Sequence, residues 1–196
     1  MEDLRIGVFV CICGPYARHF RPYEADFLAL HEYSKTLPKV VTSQLRTDLC
    51  YPTGREAIAQ AIKENHLNRV VIAACSPKLY ESDFQSTLEE AALNPHLLEM
   101  VNLREQCAWV HYNRPERATA KAKSLIRGAV HKASKLEEVK KITVPVKQSV
   151  LVVGGGIAGI QASIGVASFG YDVHLIEESP ALGGHASQLG TVFPTE

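Results

Sequence analysis

Val150-Leu-Val-Val-Gly-Gly-Gly-Ile-Ala-Gly159 is the stretch on which the reading of the chain turns. Four apolar residues read as a buried strand, and Gly154-x-Gly156-x-x-Gly159 reads as a tight turn into a helix. Val173-His-Leu-Ile-Glu177 then reads as the next parallel strand, closing on a carboxylate. Together they predict a dinucleotide-binding βαβ unit. Gly154 makes the turn, Gly156 lets backbone approach a pyrophosphate, and Gly159 lets helix and strand pack closely. The anion sits on the helix N-terminus, where unpaired N–H groups and the positive dipole end favour it, so Gly154, Gly155, Gly156, Ile157, Ala158 and Gly159 are the candidate phosphate loop. Glu177, followed by Glu178, is placed to accept hydrogen bonds from an adenosine ribose. A carboxylate there repels a 2′-phosphate, which makes NADP the least favoured ligand. An α/β unit of the same form with no ligand is the competing reading. Ser149 to Tyr171 is uncharged and long enough to suggest a membrane span, but six glycines plus Gln161, Ser163 and Ser168 make a poor lipid-facing helix.

Just beyond the second strand, Ser179-Pro-Ala-Leu-Gly-Gly184 places a glycine pair after the ribose-binding acid. This resembles the second fingerprint of flavoproteins that carry two dinucleotide-binding domains. In those families Arg usually follows the pair, where this chain has His185. Gly170 also matches the longer flavoprotein pattern. On that resemblance FAD is favoured over NAD.

The whole chain has 196 residues, 46% hydrophobic and 21% charged, enough to bury a core in one to two domains. Lys plus Arg and Asp plus Glu both number 21, so no basic field for nucleic acid and no acidic tail exists. The charged start Met-Glu-Asp-Leu-Arg5 runs straight into a strand, which argues against a secretory signal. The five cysteines are therefore expected in a reducing compartment, as metal ligands or buried thiols rather than disulfides.

Strands and helices alternate before the nucleotide motif. Strands are expected at Arg5 to Val10, Val40 to Leu45, Arg69 to Cys75 and His96 to Val101. Helices are expected from about Tyr23 to Thr36, after a capping box Thr53-x-x-Glu56, and from a second box Ser82-x-x-Gln85 to about Ala92. The rhythm predicts an α/β fold: a mostly parallel sheet with helices on both faces, followed by the first βαβ unit of a Rossmann-type domain. Asn113-Arg-Pro-Glu116 is read as the start of the longest helix, whose apolar stripe runs through Ala118, Ala122, Leu125, Ile126, Ala129, Val130, Ala133 and Leu136. Its other face is rich in Lys and Arg and reads as solvated. Expected boundaries are residues 1–140 for the first domain, 141–148 for a Lys-rich linker broken by Pro145, and 149–196 for the second.

Cys11, Cys50 and Cys75 each fall at or just after the carboxyl end of an expected strand, and Cys13 lies two residues past Cys11. In an open parallel sheet those ends converge on one crevice. Cys50 and Cys75 also precede helix starts, where the dipole stabilises thiolates. Cys107 is a fifth candidate, near the start of the long helix. Burial as small hydrophobes is the alternative for all of them. No C-x-x-C pair supports a zinc ribbon, and the ordinary ferredoxin spacing is absent. The eight histidines form no ligand pattern; Trp109 and the tyrosines read as core or domain contacts, and no hydrolytic triad or carboxylate pair is present.

Val8-Phe-Val-Cys-Ile-Cys-Gly14, Ala73-Ala-Cys-Ser-Pro77, Asn102-Leu-Arg-Glu-Gln-Cys-Ala-Trp-Val-His111, Val153-Gly-Gly-Gly-Ile-Ala-Gly159 and Phe193-Pro-Thr195 together resemble the N-terminal part of the A-subunit family of heterodisulfide reductase. The resemblance covers nearly the whole chain, although Pro15-Tyr-Ala-Arg-His-Phe20 departs from the family's small apolar residues. It implies a cytoplasmic iron–sulfur flavoprotein component of an oxidoreductase complex. A [4Fe–4S] cluster would be held by four of Cys11, Cys13, Cys50, Cys75 and Cys107, and FAD would be bound at Gly154, Gly156, Gly159, Glu177, Gly183 and Gly184. It further implies electron transfer between flavin and clusters, with an electron pair split at the flavin. Implied partners are B- and C-type subunits, ferredoxin and a hydrogenase-, formate- or NADH-linked input subunit. After Glu177 only the flavin-contacting loop and seven further residues from Gly190 remain, so the second domain is expected to be incomplete and the chain inactive alone, as an excised fragment or a reading frame ended early. A non-catalytic docking module with buried cysteines and an NAD-dependent oxidoreductase without metal are the rival readings.

Overall fold

The computed structural model describes residues 3–12 and 25–191. Cys13, the Pro15 to Phe20 stretch and Phe193-Pro-Thr195 lie outside the described residues. The chain divides into two compact units, Met1–Lys140 and Lys141–Glu196.

In the first unit, strands β1 (Ile6–Cys11), β2 (Val40–Arg46), β3 (Arg69–Ala74) and β4 (Leu98–Asn102) form one sheet in the order β2-β1-β3-β4. All of its pairings are parallel. The composition of each strand explains its place. β1 and β3, Ile-Gly-Val-Phe-Val-Cys and Arg-Val-Val-Ile-Ala-Ala, are buried at every position and take the centre, where both faces are covered. β2, with Thr42, Ser43 and Gln44, is nowhere fully buried and takes an edge.

Side chains along β1 and β3 alternate between two cores. Ile6, Val8, Val10, Val71 and Ala73 pack with Leu30 of helix α1 (Phe27–Lys35) and with Ala122, Ile126 and Val130 of α4 (Pro115–Ala133). Phe9, Cys11, Val70, Ile72 and Ala74 pack with Ile58 and Ile62 of α2 (Pro52–Glu64) and Phe84 and Leu88 of α3 (Pro77–Glu90). Helices therefore cover both faces, as the βα rhythm requires, and the expected stripe of α4 is the face that is buried.

The helix starts differ from those expected, and proline is the reason. Pro52 and Pro77 open α2 and α3, so the caps are Tyr51 and Ser76, neither of which bonds through its side chain. A first-turn position needs no N–H and suits the fixed φ of proline. Thr53 bonds Asp48 at 2.8 Å instead of capping, and Ser82 lies inside α3. Asn113 is likewise not a cap. It takes a left-handed conformation, φ 59°, one residue before the Arg114 cap of α4. In α1 the cap is Asp26, whose side chain accepts from the Ala29 N–H at 2.9 Å.

The second unit contains β5 (Ser149–Val153), α5 (Ile157–Ser168) and β6 (Asp172–Ile176), with β5 and β6 paired in parallel. No α5 residue is fully buried, and Val153, Ile157 and Phe169 are exposed. Among the described residues no helix is long and apolar enough to cross a membrane.

Candidate functional site

The order β2-β1-β3-β4 has a switch point between β1 and β3, because the chain leaves β1 toward one edge and returns on its other side. At such a point the loops beyond the carboxyl ends diverge and leave a crevice. Cys11 is the last residue of β1 and Cys75 the first after β3, both buried. Cys50 lies in the loop from β2 to α2 and packs against the core that includes Cys11. Cys50-Tyr-Pro52 and Cys75-Ser-Pro77 repeat one arrangement: a thiol two residues ahead of a first-turn proline, next to the positive end of a helix dipole.

The Cys50 loop is braced locally. The Arg46 guanidinium donates two 2.9 Å hydrogen bonds to Asp48, Thr53 adds a third, and the Tyr51 N–H donates to the Asp48 carbonyl at 2.8 Å. The Arg46 and Thr53 hydrogen bonds hold the Asp48 carboxyl below its ordinary range. A carboxylate depressed in the folded state adds stability above its unfolded value of about 3.9 and loses that contribution as pH falls through the folded value. Gly54 completes the brace, since a Cβ there would meet the Asp48 carbonyl oxygen. Gly54→Ala is expected to cost about 3 kcal/mol, the upper end for overpacking. Urea unfolding checks it, and a loss below about 1 kcal/mol would show that the loop yields freely.

Cys107 stands apart from these thiols. It lies in the π-helical turn Arg104–Ala108 and belongs to the core under α1 and α4, whereas Cys11 and Cys50 belong with the core under α2 and α3. Its sulfur donates to the Ala118 carbonyl at 3.2 Å, and burial pushes its pKa up. Both features describe a neutral, packed thiol. Among the described residues, no three His, Cys, Asp or Glu side chains come close enough together to hold a metal ion.

In the second unit, the glycine turn between β5 and α5 has the backbone features that the motif requires. Gly154 has φ +98°, in the region that glycine alone adopts freely. A Cβ on Gly159 would meet the Gly154 carbonyl oxygen, so helix and turn touch there as the motif requires. At Gly156, the cap of α5, a Cβ would meet no atom within 4 Å, leaving open space before the first turn of Ile157 and Ala158. The glycine pair is brought to the same place: the Gly183 N–H donates to the Gly155 carbonyl at 2.7 Å, and Gly156 and Gly183 form a parallel bridge. His185 follows in a short 3₁₀ turn, exposed. Glu177 accepts from the Ser179 N–H at 2.8 Å and from the Gly155 N–H, which lower its pKa, Ser179 foremost. The acid thus ties the glycine loop to the segment leading to Gly183, a bracing contact in addition to the expected ribose contact. Glu178 is exposed beside it.

Residues 149–195 match the family model described as FAD dependent oxidoreductase. Over all of its length the chain is 47% identical to the CoB–CoM heterodisulfide reductase iron–sulfur A-subunit 1 of Methanopyrus kandleri. The chain is homologous to part of the heterodisulfide reductase A-subunit. It is also 45% identical, again over all of its length, to the A-subunit of H(2):CoB-CoM heterodisulfide,ferredoxin reductase of Methanothermobacter thermautotrophicus. To the iron–sulfur A-subunit of the Methanocaldococcus jannaschii enzyme it is 44% identical over 98% of its length. The chain spans 29% of the length of each of these relatives.

Proposed function

We propose that this chain supplies two redox-cofactor sites of a cytoplasmic heterodisulfide-reductase-type complex. Cys11, Cys13, Cys50 and Cys75 would hold a [4Fe–4S] cluster in the first unit, and Gly154 to Gly159 with Glu177, Gly183 and Gly184 would hold the adenosine diphosphate half of FAD in the second. The observation that carries the reading is that Cys11, Cys50 and Cys75 each lie at or beyond the carboxyl end of a strand of one parallel sheet, in a chain whose residues 149–195 match an FAD dependent oxidoreductase. The donor chemistry suits iron–sulfur ligation, for every candidate is a cysteine, whose sulfur is the soft ligand such clusters take. The open space at Gly156, ahead of a helix N-terminus, suits a pyrophosphate.

When bound, the cluster carries single electrons and the flavin exchanges one or two. The chain's own residues orient and insulate. The phosphate loop fixes one end of the dinucleotide, Glu177 rigidifies that loop and accepts from the ribose, and the two helix N-termini stabilise thiolate charge at Cys50 and Cys75. Electron splitting at the flavin, and exchange with ferredoxin, with B- and C-type subunits and with an input subunit, would belong to the assembled complex. The test is an anaerobic absorption spectrum with iron and flavin analysis of the purified chain. About four irons per chain are expected. Iron-free protein after anaerobic reconstitution, with every thiol titratable, would favour a docking module instead.

A further inference from the structure

A groove opens on the first unit at the end of the sheet away from the cysteines. Leu4 stands two residues before β1 and Lys39 one residue before β2, and both line it, so it lies beside the amino ends of those strands. One wall is the turn Leu37-Pro38-Lys39. The other is a stripe of α4 that includes Ser124, Arg127, Gly128 and His131, spaced three and four residues apart. The turn is held in shape by the Ile6 N–H, which donates to the Lys39 carbonyl at 2.9 Å, and by the Val40 N–H, which donates to the Leu37 carbonyl at 3.3 Å. The groove has a volume of about 670 Å³, inside the range of roughly 300–1,000 Å³ typical of small-molecule sites.

Two independent features say what suits it. Gly128 lies inside a 19-residue helix, where glycine lowers stability relative to alanine. Nothing in the chain itself requires it there, since a Cβ would meet no atom within 4 Å. The glycine thus keeps that part of the groove clear for a group from outside the chain, a close approach that glycine permits. The second feature is charge. Among the described residues no carboxylate lines the groove, and none pairs with Arg127 or His131. Lys39 reaches Asp3 at 3.5 Å, an exposed pair of little strength. Leu4, Leu37 and Pro38 add apolar surface.

We propose that this groove binds a small organic carboxylate with an apolar body: the acid group on Arg127, with Lys39 and His131 to assist, and the body on Leu4, Leu37 and Pro38 across Gly128. A guanidinium fork matches a carboxylate bidentately. A protein partner fits less well, because ten residues line the groove whereas a stable interface takes roughly 20–30 a side.

Decanoate and its uncharged counterpart decanol are the probes, each titrated into the isotope-labelled full chain and followed residue by residue by amide NMR. Decanoate is expected to give saturable shifts at Gly128 and Lys39, and decanol weaker ones. Gly128→Leu, placed in open space, is expected to keep the circular dichroism of the wild type and to lose the Lys39 shift. Arg127→Gln is expected to weaken decanoate by roughly tenfold, as for one lost hydrogen bond to a charged group, and to leave decanol unchanged. Should Gly128→Leu fail to fold, Arg127→Gln decides alone. No saturable shift at Gly128 or Lys39, or equal affinity for the two probes, would overturn the proposal. Shifts confined to residues 149–191 would overturn it by placing the binding on the second unit. Shifts at the same amides on concentrating the chain without probe would overturn it by giving the groove to a second copy.

Discussion

Gly156→Val is expected to weaken FAD binding by at least roughly 100-fold, equivalent to about 2.8 kcal/mol, while leaving the fold intact. The two halves of that expectation come from one observation. A Cβ at Gly156 meets no protein atom within 4 Å, so the valine has room in the chain itself. The space it would occupy is the one in which a pyrophosphate approaches the α5 N-terminus. Gly159→Ala is the informative contrast, because there the added carbon meets the Gly154 carbonyl oxygen and the turn itself must deform. Equilibrium dialysis with FAD and with ADP, beside far-ultraviolet circular dichroism, separates the two effects. Wild-type affinity in Gly156→Val would move the ligand away from this loop.

Replacing Cys50 or Cys75 by Ala is expected to abolish iron retention, whereas Cys107→Ala is expected to retain it in full. The first two thiols sit ahead of α2 and α3, where the helix dipoles favour the thiolate form. Cys107 is held the other way, by burial that favours the neutral thiol and by its hydrogen bond to Ala118. Its replacement should therefore cost stability, about 1 kcal/mol for the lost hydrogen bond, and no iron. Iron and sulfide analysis of each reconstituted variant decides it. Loss of iron in Cys107→Ala with retention in Cys50→Ala would reverse the assignment.

Much of this was legible in the residues. The runs in β1 and β3 announce buried central strands, and their alternation with amphipathic segments announces a parallel sheet. The βαβ unit was readable almost residue by residue, because glycine at 154 and 159 answers to backbone constraints that no other residue meets. Helix starts were less legible. Thr53-x-x-Glu56 and Ser82-x-x-Gln85 imitate capping boxes, but proline two residues after Cys50 and after Cys75 is the stronger signal, since its fixed φ and missing N–H suit the first turn.

The α/β class, the glycine turn of the βαβ unit and the strand-end placement of the cysteines follow from the residues alone, because each depends on local backbone chemistry and hydrophobic period. Which core each thiol packs into is a matter of long-range packing. Cys107, five residues past the end of β4, packs in the core under α1 and α4, whereas Cys11 and Cys50 belong with the core under α2 and α3. Strand order and the face on which a side chain packs set those neighbours. Both come from the packing of helices against the two sides of the sheet, which no single segment encodes.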